Sequence, residues 1–306
     1  MISTDKIKGH IAVILANVFF GMNVPLTKDL MATWLTPTEY IISRVGFAMM
    51  IFWIIGLFTH KEKVTGKDKL YLFLGGLFGV VSAQMLVAVS LDYTSPIYSS
   101  LFSALSPAIV MFLAYIFLHE PITHHKATGV IIGVAGAALL ISHIPAVNGN
   151  ETFIGIVFAI ASVTSYAIYL IIIRTVANKY SPLTQMKWTY LSASLILIPV
   201  ACVMLPKQKN IFPETGTAQY CELAFIIVFA TVIAFMLIPY GLKYLRPTTV
   251  SVYINLQPVV AASVSIILGQ DSFSWEKPIA GLLVIIGAYI VTTSPARKTV
   301  IKTSTI

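Results

Sequence analysis

SPIYSSLFSALSPAIVMFLAYIFLHEPIT, residues 95–123, is matched without a gap by RPTTVSVYINLQPVVAASVSIILGQDSFS, residues 246–274. Pro96 falls on Pro247, Ser100 on Ser251, Pro107 on Pro258 and Glu120 on Asp271; just beyond, Lys126 falls on Lys277 and Gly136 on Gly287. Each pair is 151 residues apart, and the proline pairs sit in apolar runs, where chance rarely supplies them. The chain reads as a duplicated unit. Internal duplication in an apolar chain is a mark of transport proteins.

Composition sets the class. Hydrophobic residues make up 57% of the chain and charged ones only 10%, with a mean hydropathy of +0.86. A water-soluble core cannot absorb that much apolar surface, whereas a bilayer can. Spanning helices need roughly 20 mostly apolar residues each. Ten such runs are found, at 10–27, 38–58, 70–91, 96–118, 127–142, 153–173, 183–205, 220–242, 248–268 and 278–293. The net charge of +8 sits in short connections rather than on one face, so no nucleic-acid partner is implied. Two cysteines, Cys202 and Cys221, build neither a disulfide framework nor a metal site. Lys6 and Lys8 precede an apolar run with no small-residue cleavage pattern, so the first span is expected to be retained.

Alternate connections divide the basic residues unequally. Fourteen Lys and Arg fall on one side, among them Lys61, Lys67, Lys126, Lys179 and Arg246, against Lys28, Lys207, Lys209 and Lys277 on the other. By the positive-inside rule both termini are cytoplasmic, in the inner (plasma) membrane of the cell. Five spans separate equivalent positions, and five is odd, so the second copy must run inverted. The expected fold is an all-α integral membrane protein: ten transmembrane helices in two inverted five-helix repeats, residues 1–145 and 146–306. Such an arrangement places its binding site near the midplane, where the halves meet.

Candidate functional residues follow from that geometry. Pro107 and Pro258 are expected mid-span, each removing one backbone N–H and crowding the carbonyl four residues back, as kinks or gates. Arg44 lies two turns into the second span in an apolar run, at a cost of roughly 3 kcal/mol unless paired or facing water. Lys187 holds a nearly equivalent place in the seventh. Either cation can instead snorkel to an interface. Asn23, Gln84, Ser100, Ser103, Tyr166, Tyr169, Tyr253 and Asn255 are the other expected substrate contacts, the aromatics suited to a flat moiety. Buried amides and phenols of this kind otherwise bind backbone between helices. No Asp or Glu lies deep in a span, which argues against a dedicated proton relay. A buried cation favours a substrate carrying carboxylate or phosphate. Gly129, Gly133 and Gly136 in the fifth span, with Gly281 and Gly287 in the tenth, read as a scaffold or a homodimer seam away from the transport path.

Several stretches carry a family likeness: FFGMNVP at 19–25, SRVGFA at 43–48, SAQMLVAVSLDYTSP at 82–96, LSPAIVMFLAYIFLHEPIT at 105–123, SYAIYLIIIR at 165–174 and GLKYLRPTTVSVYINLQPVVA at 241–261. In order and over nearly the whole chain they resemble the EamA branch of the drug/metabolite transporter superfamily. That resemblance implies a ten-span inverted-repeat carrier with a cavity lined by spans one, three, four, six, eight and nine. Gln270-Asp271 departs from the family's usual Gly-Glu, and Phe20 stands where Trp is frequent. The expected function is a secondary transporter, neither an enzyme nor cofactor-dependent, that exports a small metabolite such as an amino acid by alternating access. The alternatives are a channel, which would show rings of like residues, and an intramembrane enzyme built on His119, His124, His125 and Glu120.

Overall fold

The computed structural model describes residues 4–93, 105–141, 150–204, 216–267 and 275–293, and every regular element among them is helical. The first part of the chain forms α1 (Thr4–Thr33), α2 (Pro37–Leu57), α3 (Gly66–Gly75), a π-helical segment (Gly76–Ser82), α4 (Ala83–Tyr93), α5 (Ser106–Leu118) and α6 (His124–Ile141). The remainder forms α7 (Asn150–Val176), α8 (Pro182–Met204), α9 (Thr217–Ile227), a second π-helical segment (Val228–Ile233) and α10 (Ala234–Tyr244). It ends with α11 (Pro247–Val252), a 3-10 turn (Tyr253–Asn255), α12 (Leu256–Ile267) and α13 (Glu276–Thr293).

Local sequence explains the helix ends. Thr36 caps α2 by accepting from the Glu39 N–H, while Glu39 Oε2 accepts from the Thr36 N–H at 2.7 Å, a reciprocal capping box. Thr65 caps α3 in the same way through the Asp68 N–H. His119 ends α5 in the left-handed region, φ 53°. The first helix departs from expectation: it continues through Pro25 to Thr33 rather than stopping near 27.

The two prolines of the repeat stand alike. Pro258 lies in the first turn of α12, directly after the 3-10 turn that separates α12 from α11. Pro107 lies in the first turn of α5, where a missing N–H forfeits no bond, and residues 94–104, through which a mid-span kink would run, lie outside the described residues. The two π segments were not anticipated. Gly76 and Val228 are 152 residues apart, and Ser82 and Ile233 are 151 apart, the spacing of the sequence repeat. Each widened turn opens the wall of its helix.

Six stretches are long and apolar enough to cross a membrane: Thr4–Met31, Thr38–Leu57, Gly66–Val87, Phe153–Val176, Pro182–Val203 and Thr217–Tyr244. Shorter apolar helices run from Ser106–Leu118 and Gly281–Val291. Phe58, Phe112, Phe117, Ile131, Phe153 and Leu282 are all more than half exposed, an outer surface suited to hydrocarbon rather than water. Inside, α1 packs against α10 and α12, α2 against α8, and α4 against α7.

The glycines of α6 and α13 are used within one chain. A Cβ on Gly129 would lie 2.7 Å from the Gly287 carbonyl oxygen, and one on Gly287 only 2.6 Å from that of Gly129. Backbones thus touch directly, the scaffold half of the expectation. Asn255, an expected substrate contact, lies beside the pair: a Cβ on Gly133 would be 3.2 Å from Asn255 Nδ2. We predict that Gly129→Val separates α6 from α13 and costs about 1–3 kcal/mol, read as a lowered melting temperature in detergent. Gly46→Ala, with open space around it, should leave that temperature unchanged.

Candidate functional site

Arg44 projects from α2 into the interior, 6% exposed, and its partners are all neutral. Nε donates to Thr231 Oγ1 at 2.6 Å, one terminal nitrogen to Tyr40 Oη at 3.1 Å and the other to the Ala230 carbonyl at 3.0 Å. Two of these acceptors belong to the second π segment. Thr231 in turn donates to the Ile226 carbonyl five residues back, a bond that the π register makes available. Tyr40 accepts from Thr27 Oγ1 at 2.9 Å and donates to Asn23 Oδ1 at 3.1 Å, tying α1 into the same network. No carboxylate is within ion-pair distance of the guanidinium among the described residues. Its hydrogen bonds are answered, but its charge is not.

Aromatic rings surround this cation. Phe235 of α10 lies with its ring centre 5.9 Å from the Arg44 guanidinium carbon, and 5.2, 5.6 and 6.4 Å from the rings of Phe20, Tyr190 and Tyr169. Tyr166 extends the group, 5.4 Å from Tyr169. Tyr169 fills the first π segment: a Cβ on Gly79 would fall 2.3 Å from its ring, so only glycine fits there. The hydroxyls of Tyr169 and Tyr190 are buried without a hydrogen-bond partner among the described residues.

Two amides share that condition. Both side-chain polar atoms of Gln84 and both of Asn255 are buried and unpartnered among the described residues, and Ser90 and Ser106 contribute two more such hydroxyls. Leaving a buried polar group unpaired costs roughly 1–3 kcal/mol, so these positions are poor choices for packing alone.

The model of the EamA-like transporter family matches this chain twice, over residues 7–142 and 153–293. The chain belongs to the EamA-like transporter family. It is therefore a multi-pass membrane protein of a transporter family. It is similar to the uncharacterized transporter YyaM of Bacillus subtilis, 24% identical over 275 residues that cover 89% of each chain. An uncharacterized transporter of Archaeoglobus fulgidus is 26% identical, covering 93% of this chain and 98% of its own. A WAT1-related protein of Arabidopsis thaliana is 21% identical over 85% of this chain and 80% of its own. One crystal structure superposes with a TM-score of 0.77 over 93% of this chain and 96% of that one, at 17% identity, and so shares the fold.

Within this EamA-like chain the expected site residues divide into three groups. Asn23, Arg44, Tyr166 and Tyr169 are joined by the hydrogen bonds and ring contacts around Arg44 and Phe235. Tyr253 is bonded instead to His10 Nδ1 at 3.0 Å, and Gln257 Nε2 donates to Asn17 Oδ1 at 2.8 Å, so α1 is zipped to the 3-10 turn and the start of α12. Gln84 and Asn255 are buried but bond none of these groups. Ser100 and Ser103 lie outside the described residues. Lys187 lies with its ammonium 4.2 Å from the Trp53 ring centre. Tyr40, Thr231, Tyr190 and Phe235 were missed. Tyr40 was legible as the residue one turn before Arg44, while the others come from distant helices.

A second network closes one end of the bundle. Asp68 is buried at the start of α3 and accepts from Lys179 Nζ at 2.9 Å, Tyr180 Oη at 2.8 Å and Thr65 Oγ1 at 2.9 Å. That hydrogen bond raises the Lys179 ammonium above its ordinary value. Beside it Glu62 accepts from the Ser181 N–H and hydroxyl, both at 3.0 Å. Burial pushes the Glu62 carboxyl up, but hydrogen bonds from Thr184 and Ser181 outweigh it and hold the group below its ordinary value. Nearby Glu120, from the histidine-bearing loop, takes Lys126 at 2.9 Å and Thr248 Oγ1 at 3.0 Å.

Two outcomes are expected. Gln84→Met and Asn255→Leu remove unpartnered amides at nearly constant volume, so each should raise the melting temperature by a few degrees, measured by thermal unfolding in detergent. Glu62, with its lowered carboxyl, contributes stability above its unfolded pKa and loses it as pH falls through the folded one. The deficit of Glu62→Gln at neutral pH should therefore shrink below about pH 4.

Proposed function

We propose that this chain is a secondary transporter exporting a small anionic metabolite across the inner membrane by alternating access. The fold is read as ten spans in two inverted five-helix repeats, residues 1–145 and 146–306, with both termini cytoplasmic. Three observations support the repeat: the 151-residue sequence register, the two π segments at the same spacing, and the two separate matches of the family model. The ten-to-six difference from the six long apolar stretches arises where spans are broken or only partly described.

The observation that carries the substrate reading is the uncompensated Arg44. A buried cation held only by neutral oxygens is costly unless an anion arrives to share its site. Substrate carboxylate or phosphate supplies that anion, and a flat portion stacks on the rings around Phe235. Gln84 and Asn255 offer amide donors and acceptors to the rest of the molecule. Rocking of the halves exposes the site alternately to either side.

The test begins with a thermal-shift screen of carboxylate- and phosphate-bearing metabolites in detergent, since a ligand of the native state raises its melting temperature. A stabilising compound is then assayed for counterflow in proteoliposomes. Wild type should show counterflow, and Arg44→Gln should weaken binding about tenfold or more, the worth of a lost charge-assisted hydrogen bond. Absence of counterflow, or unchanged transport in Asn23→Ala, Arg44→Gln, Gln84→Ala and Asn255→Ala alike, overturns the proposal.

A further inference from the structure

A groove of about 280 Å³ runs down the outside of the bundle between α3 and α8, far in chemistry from the Arg44 centre. Lys69, Leu70 and Phe73 form one wall; Trp188, Leu191 and Leu195 form the other, with Ser192 at the floor. Ser192 brings no free polarity, because its hydroxyl donates to the Thr189 carbonyl at 2.8 Å. Trp188, Leu191 and Leu195 lie at i, i+3 and i+7, one stripe of α8 about 10 Å long. The loops before α3 and α8 are tied together by Glu62–Ser181 and by the Thr65 N–H on Tyr180 Oη, so both helices start at one membrane face. The groove therefore has its lysine at the rim and its leucines deeper in the apolar layer.

The charge at that rim is unanswered. Lys69 Nζ sits 4.5 Å above the Trp188 ring centre, and Trp188 meets Trp53 edge to face at 6.2 Å. The two carboxylates of this corner are already engaged: Asp68 by Lys179, Tyr180 and Thr65, Glu62 by Ser181. Among the described residues no carboxylate pairs with Lys69. Lys61 and Lys63 on the loop before α3, and Lys67 in its first turn, add positive charge. A cation over an indole at the head of an apolar furrow matches a phosphodiester followed by a hydrocarbon chain.

We propose that this groove is a binding site for an acidic phospholipid of the surrounding bilayer, with the phosphate at Lys69 and one acyl chain along Leu70, Phe73, Leu191 and Leu195. The site does not depend on the transport reading, because its readout is lipid retention.

Native mass spectrometry of the purified full-length chain tests it, by titration with phosphatidylglycerol or phosphatidylcholine of identical acyl chains and with glycerol 3-phosphate as headgroup alone. Wild type should retain phosphatidylglycerol more tightly than phosphatidylcholine and should not retain glycerol phosphate. Lys69→Gln should weaken phosphatidylglycerol about fivefold, the worth of one lysine at an anionic lipid, and leave phosphatidylcholine unchanged, which also reports an intact fold. The double variant Lys61→Gln with Lys63→Gln should keep the preference. Three results would sink the site: equal retention of the two lipids by wild type, an equal loss in the loop-lysine control, or capture of glycerol phosphate without a chain.

Discussion

A hydrocarbon interior offers no water to a polar group, so every donor and acceptor in it must be met by the protein or left at a cost. Arg44 is where that constraint bites hardest. Its guanidinium is held by a hydroxyl, a phenol and a carbonyl, two of them from a stretch of helix wound one residue wider than usual. The wider turn frees a carbonyl at Ala230 for the cation and lets Thr231 bond five residues back. Without such a turn, α-helical pairing would engage these groups along the helix itself.

The exchange has a counterpart. The first π segment receives the ring of Tyr169 against Gly79, as the second receives Arg44. Each widened turn thus accepts a side chain from the other end of the chain, and both side chains reach the aromatic group around Phe235. Polar groups are met unevenly. At this centre Arg44, Tyr40, Thr231 and Asn23 are bonded, whereas the Tyr169 and Tyr190 hydroxyls, and elsewhere the amides of Gln84 and Asn255, have no partner among the described residues. Several unpaired buried groups cost stability that packing alone does not explain. The rigid close contact of α6 with α13, backbone against backbone, lies next to Asn255 and limits where that amide can go.

Carboxylates tie other parts of the bundle together. Asp68 and Glu62 join the loops before α3 and α8, and Glu120 joins the start of α6 to α11 through Lys126 and Thr248. These ties cross between distant parts of the chain. Asp68 and Glu62 are engaged by them, so Lys69 keeps its charge for something outside the protein.

Sequence by itself determined the membrane class, the helical content and the family, because each depends on composition or register, and it singled out Arg44 by the cost of one charge. The break near Pro258 was equally legible, since a proline acts on the carbonyl four residues back in any helix. Pro107 also stands in a helix's first turn, a place that an apolar run does not distinguish from a helix interior. Only the tertiary structure decided which residues complete the site. Tyr190, Thr231 and Phe235 reach Arg44 from helices far along the chain, and no local pattern marks them. The π turns likewise follow from what packs against them, Tyr169 on one and Arg44 on the other, rather than from any propensity of Gly76–Ser82 or Val228–Ile233.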